Sequence, residues 1–320
     1  MLSFLLKRAL AMLPVLWIVA TAVFFLARFA PGGPFDMERP LPEHVKARLN
    51  AHYGLDRPLA EQYVRYMANL ARGDLGPSYK YPGWSVGELI AQRARVSAEL
   101  GAWALLAAIL AGIPAGALAA RRHGSRLDRA LTGAAALGVC VPAFVLGPLL
   151  ALVFALKLGV FNALGWDTAG DRVLPALALG LTVAAPLARL TRASMLEVAG
   201  QDYMRTARAK GLSEARVWFV HGLRNALTPV VTFLGPAAAG LLSGSFVIES
   251  VFNIPGLGRL FVSSAFDREY TMICGTVLFY AAALMALNLA VEVAVVWLNP
   301  RLRRSVAGGG GTGGAEGGGA

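Results

Sequence analysis

The sequence has 320 residues, of which 56% are hydrophobic and only 15% charged, with a formal net charge of +11. Soluble domains carry about 25% charged residues, so a water-soluble fold is excluded, and the basic excess sorts by loop as membrane orientation requires, arguing against a nucleic-acid footprint. Cys140 and Cys274 lie far apart in apolar runs with no metal or redox spacing, and read as small buried hydrophobes.

Residues 9–30 form the first candidate span, preceded by Lys7 and Arg8. The run is long for a signal-peptide core and is followed by no small-residue cleavage site, so it reads as an uncleaved helix. Arg28 near its far end is placed to snorkel to the interface. Residues 31–95 are polar and punctuated by Pro and Gly. Within them, residues 43–51 and 59–71 read as short amphipathic helices, with Leu59, Tyr63, Tyr66 and Leu70 on one face. This segment reads as a small extracytoplasmic cap on the helices, with a surface for a substrate-delivering partner as the alternative.

Five more apolar runs follow, near 96–120, 130–156, 173–190, 229–250 and 271–298, most of them near the 20 or so residues a crossing needs. Prolines within them, such as Pro114, Pro142 and Pro186, are tolerated where neighbouring helices satisfy freed carbonyls. Gly112–Gly116 and Gly240–Gly244 are G-x-x-x-G patterns suited to close helix packing. Six spans put both termini on one side. That side holds sixteen Lys and Arg residues, whereas the short loops 157–172 and 251–270 hold two each. The termini are therefore expected in the cytoplasm. The tail from 301 to 320 is basic, then nearly all glycine, and reads as disordered.

One charged stretch, 194–229, stands between the fourth and fifth runs. Residues 194–210 hold helix formers without Pro, Gly211 supplies a left-handed stop, and Ser213 is placed to cap a second helix that opens on Glu214. Pro229 then opens the next run. The spacing predicts two short helices about a glycine break, projecting into the cytoplasm.

Enzyme signatures are absent from the sequence. It contains no G-x-x-x-x-G-K-[ST] phosphate loop, no G-x-S-x-G elbow and no H-E-x-x-H pair. His123 and Asp128 stand at a spacing some acyltransferases use, but in a basic turn without a supporting motif. Glu292 is an intramembrane acid close to the cytoplasmic end, where packing or an interface role accounts for it.

The charged stretch resembles the cytoplasmic "EAA" loop of bacterial ABC-importer permeases, in the form found in the dipeptide/oligopeptide/nickel family. The matching strings are Arg205-Thr-Ala-Arg-Ala-Lys-Gly211 and His221-Gly-Leu-Arg-Asn-Ala-Leu-Thr-Pro229. Ala207, Gly211 and Leu223 match the general motif. Arg205, Thr206 and Arg224 replace its Glu, Ala and Pro, as they do in the peptide-permease subgroup. Ala30-Pro-Gly-Gly-Pro34, Tyr53-Gly-Leu-Asp-Arg-Pro58, Gly73-Asp-Leu-Gly76, Leu190-Thr-Arg-Ala-Ser-Met195, Ile254-Pro-Gly-Leu-Gly-Arg259 and Asn299-Pro-Arg301 are similar to further family strings, and 76–81 looks most like the B-type subunit of oligopeptide permeases.

The resemblance implies an all-α integral membrane protein of the type I importer fold in a bacterial inner membrane. Its six helices would divide into a first helix within 1–30, an extracytoplasmic segment 31–95 and a core of 96–300. It implies a peptide importer with a second homologous permease, two cytoplasmic ATPase subunits and an extracytoplasmic peptide-binding protein. No cofactor of its own and no nucleic acid is implied, since ATP would be bound by the partners. Arg205, Thr206, Ala207, Arg208, Lys210, Gly211, Leu212 and Arg224 would couple the chain to the ATPases, with Ala207 allowing close approach. A secondary transporter or channel driven by an ion gradient is the alternative; the runs hold few mid-membrane charges for it.

Overall fold

The computed structural model describes residues 2–36 and 42–298, so the Asn299-Pro-Arg301 string and the glycine tail lie outside the described residues. Within them the chain is helical and has no strand. Four helices are long and apolar enough to cross a membrane: Arg8–Phe29, Val86–Arg121, Ala169–Ala199 and Tyr270–Val293. The number is six if each of two bent pairs is one crossing.

Helix α1 (Leu2–Phe29) keeps Pro14 within it, and α2 (Glu43–Tyr53) and α3 (Leu59–Ala71) follow. The expected face of α3 lies against α1. Tyr63 stacks on Phe25 at 5.5 Å between centroids, Tyr66 stacks on Phe24 at 5.3 Å, and the Tyr63 hydroxyl meets Thr21 Oγ1 at 2.9 Å. Arg28 does not snorkel outward as expected. Its guanidinium lies 3.6 Å from the Phe24 ring centroid and Nε donates to Gln62 Oε1 at 2.9 Å, because α3 covers the end of α1 and offers it partners.

Helix α4 (Val86–Arg121) begins ten residues before the apolar run. A capping box explains the early start: the Glu88 N–H donates to Ser85 Oγ at 3.2 Å and the Ser85 N–H donates to Glu88 Oε2 at 3.0 Å. The third run is not one straight crossing. Helix α5 (Arg126–Cys140) and the segment formed by α6 (Ala143–Leu150) and a π-helical turn (Ala151–Lys157) meet at 107°. Val141 is extended there, at φ −89° and ψ 114°, as the residue before a proline prefers. Cys140, at this break, is exposed and does not fit the buried reading, whereas Cys274 is buried.

Helix α7 (Val173–Ala199) is central. It packs along α4 with backbone nearly touching backbone. A Cβ placed on Gly116 would lie 2.4 Å from the Ala188 carbonyl oxygen, and one on Gly112 would lie 2.8 Å from that of Ala184. From the other side, Gly180 sits against the Ala104 carbonyl. The first G-x-x-x-G pattern therefore packs on α7. Below this pair the core joins Leu100, Leu174, Ala178 and Leu179 to Leu241, Ile248 and Phe252 of α10 (Leu223–Val251). Helices α11 (Leu257–Phe266) and α12 (Tyr270–Leu298) complete the chain. Glu292 pairs with Arg8 at 3.0 Å, which ties the last helix to the first. Leu10, Trp17, Leu110 and Leu137 are exposed on the outer faces, as a bilayer-facing surface requires.

Candidate coupling site

The charged stretch folds differently from two equal helices. Residues 194–199 finish α7, and the first short helix, α8, is Asp202–Ala209. At its end the Leu212 N–H donates to the Ala207 carbonyl at 3.4 Å and the Gly211 N–H donates to that of Arg208 at 2.9 Å. This is a Schellman turn, and Gly211 takes its left-handed position at φ +77°. Ser213 occupies the next N-cap position, but its side chain makes no cap bond. The second helix does not stop at Pro229. A short turn α9 (Glu214–Arg216) runs through a π-helical segment (Val217–Gly222) directly into α10, and Pro229 lies inside that helix.

An eight-residue helix is too short to persist on its own propensity. Its buried face supplies the stability. Met204 is fully buried, and with Ala207 it packs against Val217, Val198 and Leu212. Burying one such methionine contributes about 2 kcal/mol. The Met204 methyl also reaches a bare backbone: a Cβ on Gly222 would lie 3.2 Å from it and 3.6 Å from the Met195 methyl of α7. Helix α8 is thereby seated on both α7 and the helix that becomes α10.

The expected site residues divide into two sets. Arg205, Thr206, Arg208 and Lys210 lie on the exposed face of α8, Gly211 at its turn, and Arg224 exposed in the first turn of α10. Ala207 and Leu212 point inward. Ala207 brings α8 close to its own base, where Met204, Val198, Leu212 and Val217 surround it. On the outer face Arg205 approaches Asp202 only to 3.9 Å, and Lys210 and Arg224 make no ion pair among the described residues. Arg208 is committed internally, donating to Glu214 Oε1 at 2.8 Å, while the buried Trp218 indole donates to Glu214 Oε2 at 2.9 Å.

Behind this knob, Arg192 of α7 grips the buried Asp128 at the start of α5 with two bonds, 2.7 and 2.9 Å long. The His123–Asp128 spacing is therefore structural: the carboxylate is occupied by Arg192, by the Gly124 N–H and by Thr132. Met195, Met204, Trp218 and the Asp128–Arg192 pair escaped the sequence reading. Only the i, i+3 spacing of Met204 and Ala207 hinted at a buried face. Among the described residues no group of three His, Cys, Asp or Glu is placed to hold a metal. The arrangement presents exposed cations on a short helix whose other face is buried.

A family model described as "Binding-protein-dependent transport system inner membrane component" matches residues 112–304, and one for the N-terminal part of such membrane components matches residues 1–95. The chain is 44% identical over 305 residues to the oligopeptide transport system permease protein OppB of Haemophilus influenzae, covering 95% of this chain and 100% of that protein. It is 43% identical over 303 residues to the dipeptide transport system permease protein DppB of Bacillus subtilis, covering 95% and 98%. Among solved structures, an inward-facing MetNI methionine ABC transporter matches with a TM-score of 0.56 at 18% identity, over 66% of this chain and 96% of that one; this likeness concerns the fold.

Proposed function

The chain belongs to the family of inner membrane components of binding-protein-dependent transport systems, and from that premise we propose that it is one permease of a bacterial peptide importer, moved by ATPase subunits through α8. The relatives named above carry oligopeptide and dipeptide designations, and peptides are the class common to both. In this reading a second, similar permease completes the path, an extracytoplasmic protein delivers peptide, and two ATPases bind the nucleotide for which this sequence has no phosphate loop. A gradient-driven carrier does not fit a family defined by its dependence on a binding protein.

The observation that carries the coupling role is the division of α8 into two faces. Arg205, Thr206 and Lys210 are free to contact a partner, while Met204 and Ala207 lock the helix to α7 and α10. Displacement of the outer face is then transmitted without slack. The test is gentle solubilisation of native membranes, capture of the tagged chain and mass spectrometry of what accompanies it, with Gly211→Val run in parallel. Co-purification of a second permease and P-loop ATPases, with the ATPases lost from the variant, is the expected result. A chain recovered alone in both preparations defeats the importer reading, and ATPases retained equally by both defeat the role of α8.

A further inference from the structure

The Ile254–Arg259 turn is built over a buried acid. Beneath it lies Glu249, fully buried within α10. Ser97 and Ser245 donate their hydroxyls to its Oε1 at 2.6 and 2.7 Å, and the Arg259 backbone N–H donates to Oε2 at 3.0 Å. Ser97 Oγ accepts in turn from the Leu257 N–H at 2.8 Å. The turn passes so close to the carboxylate that a Cβ on Gly256 would lie 2.4 Å from it. A buried carboxylate is tolerated only when its lone pairs are filled, and here filling them fixes the turn.

What the turn presents is positive charge. Arg259 stands exposed on it and donates to the side-chain oxygen of Asn253; Arg93 of α4 donates to the Pro255 carbonyl at 3.2 Å. With Lys80, Tyr81 and Ser263 they line a cleft of about 340 Å³. Lys80 is paired with Asp267, but both guanidiniums are bonded only to neutral oxygens, and among the described residues no carboxylate pairs with either. Each keeps unused N–H donors of its planar fork. The N–H groups of Leu257 and Arg259 at the start of α11 are already taken by Ser97 and Glu249, so the side chains, and not the helix end, make the site. By the charge asymmetry of the loops, the segments that build the cleft, 76–85 and 251–260, lie on the extracytoplasmic side, where cargo arrives.

We propose that this cleft is a carboxylate subsite that receives the C-terminus of the peptide as it enters the permease. The inference rests on the peptide-importer reading. A terminal carboxylate is the anion that every unblocked peptide carries, and two guanidiniums match its geometry as no ammonium does.

The experiment uses the reconstituted importer, with its permeases, ATPases and binding protein, in liposomes. Uptake of one peptide is compared as free acid and as C-terminal amide for the wild type, the double variant R93Q/R259Q and the double variant R93K/R259K. The same binding protein serves every arm, so its own preference cancels between variants. Loss of charge-assisted bonds to the carboxylate is expected to lower free-acid kcat/KM about tenfold through KM. Amide uptake falls far less than free-acid uptake, so the acid-to-amide ratio drops, and the lysine pair recovers part of the loss. Equal falls for acid and amide, or an unchanged ratio, overturn the subsite while leaving the importer reading standing. Failure of the wild type to take up either peptide overturns both.

Discussion

Helix α8 and the Ile254–Arg259 turn are held by opposite means. At the cytoplasmic face α8 is seated by apolar contacts around Met204, Ala207 and Val217, and its bonded groups lie near the surface. At the other face the Ile254–Arg259 turn hangs on a buried carboxylate with hydrogen bonds of fixed direction. Apolar contact is non-directional and survives small rotations, whereas a hydrogen bond weakens steeply off its line. On the coupling reading proposed above, the first device keeps α8 seated on its base while it is displaced. The second suits a turn that must present Arg93 and Arg259 at a set spacing.

The largest effect expected from breaking this contrast is at Gly211. No atom lies within 4 Å of a Cβ placed there, so the penalty of Gly211→Val is backbone strain alone, from a β-branched residue forced to φ +77°. Peptide uptake is expected to vanish while the chain remains in the membrane at normal level; uptake at the wild-type rate would falsify the coupling role. Met204→Ala comes next. It removes the central contact of the seat at a local cost of about 3 kcal/mol, and should lower uptake more than tenfold with the ATPases still partly bound. Unchanged uptake would mean that α8 needs no rigid base.

At the opposite face Glu249→Gln tests direction without changing size. The amide turns a donor toward groups that themselves donate, at a cost of about 2 kcal/mol, so the purified protein should melt about 5 °C lower. An unaltered melting temperature would show that the carboxylate is not what holds the turn. The smallest effect is in the cap, at the Asp36–Lys46 ion pair. The Lys46 ammonium, with the Gly33 N–H, holds the Asp36 carboxyl below its usual range. Its contribution is therefore present above the ordinary carboxylate pKa and lost as pH falls through the lowered one. Both groups are accessible to water, so Asp36→Asn should only slightly flatten the acid side of the melting profile, read from about pH 3 to pH 6. A large shift would assign the pair a structural weight that its exposure denies.

Much of the fold is local and was legible for that reason. Four apolar runs correspond to the four long helices, and the Tyr63–Tyr66 face and the Gly211 stop follow from spacing and from one residue's conformational freedom. The Ser85-x-x-Glu88 capping box is equally local and marks the start of α4 at Val86. The break at Val141–Pro142 was less accessible. Pro114, Pro186 and Pro229 stay inside their helices, so proline alone does not say where a span bends; the packing of the neighbours does. Within the candidate coupling site Arg205 and Lys210 lie exposed, but the inward turn of Ala207 depends on Val217, which lies beyond the Gly211 reversal. Glu249 was least visible of all. It is a lone acid closing an apolar run, and its partner Ser97 stands 152 residues away.

The glycine contacts between α4 and α7 have a mechanical consequence. With Gly112, Gly116 and Gly180 pressed onto opposing carbonyls, the two helices are held at backbone contact at three points along their length. They form one beam. Helix α7, with 27 residues, is about 40 Å long at 1.5 Å per residue. Its cytoplasmic end adjoins α8, and its other end begins at Arg172, whose Nε donates to Glu99 of α4 at 2.5 Å. Pivoted at one end, a beam of that length tilting by about 5° swings its far tip by roughly 3.5 Å, a geometric estimate from the same rise. On the importer reading proposed above, a stroke of that size would carry a small rotation at the α8 end to the Arg172 end of the beam.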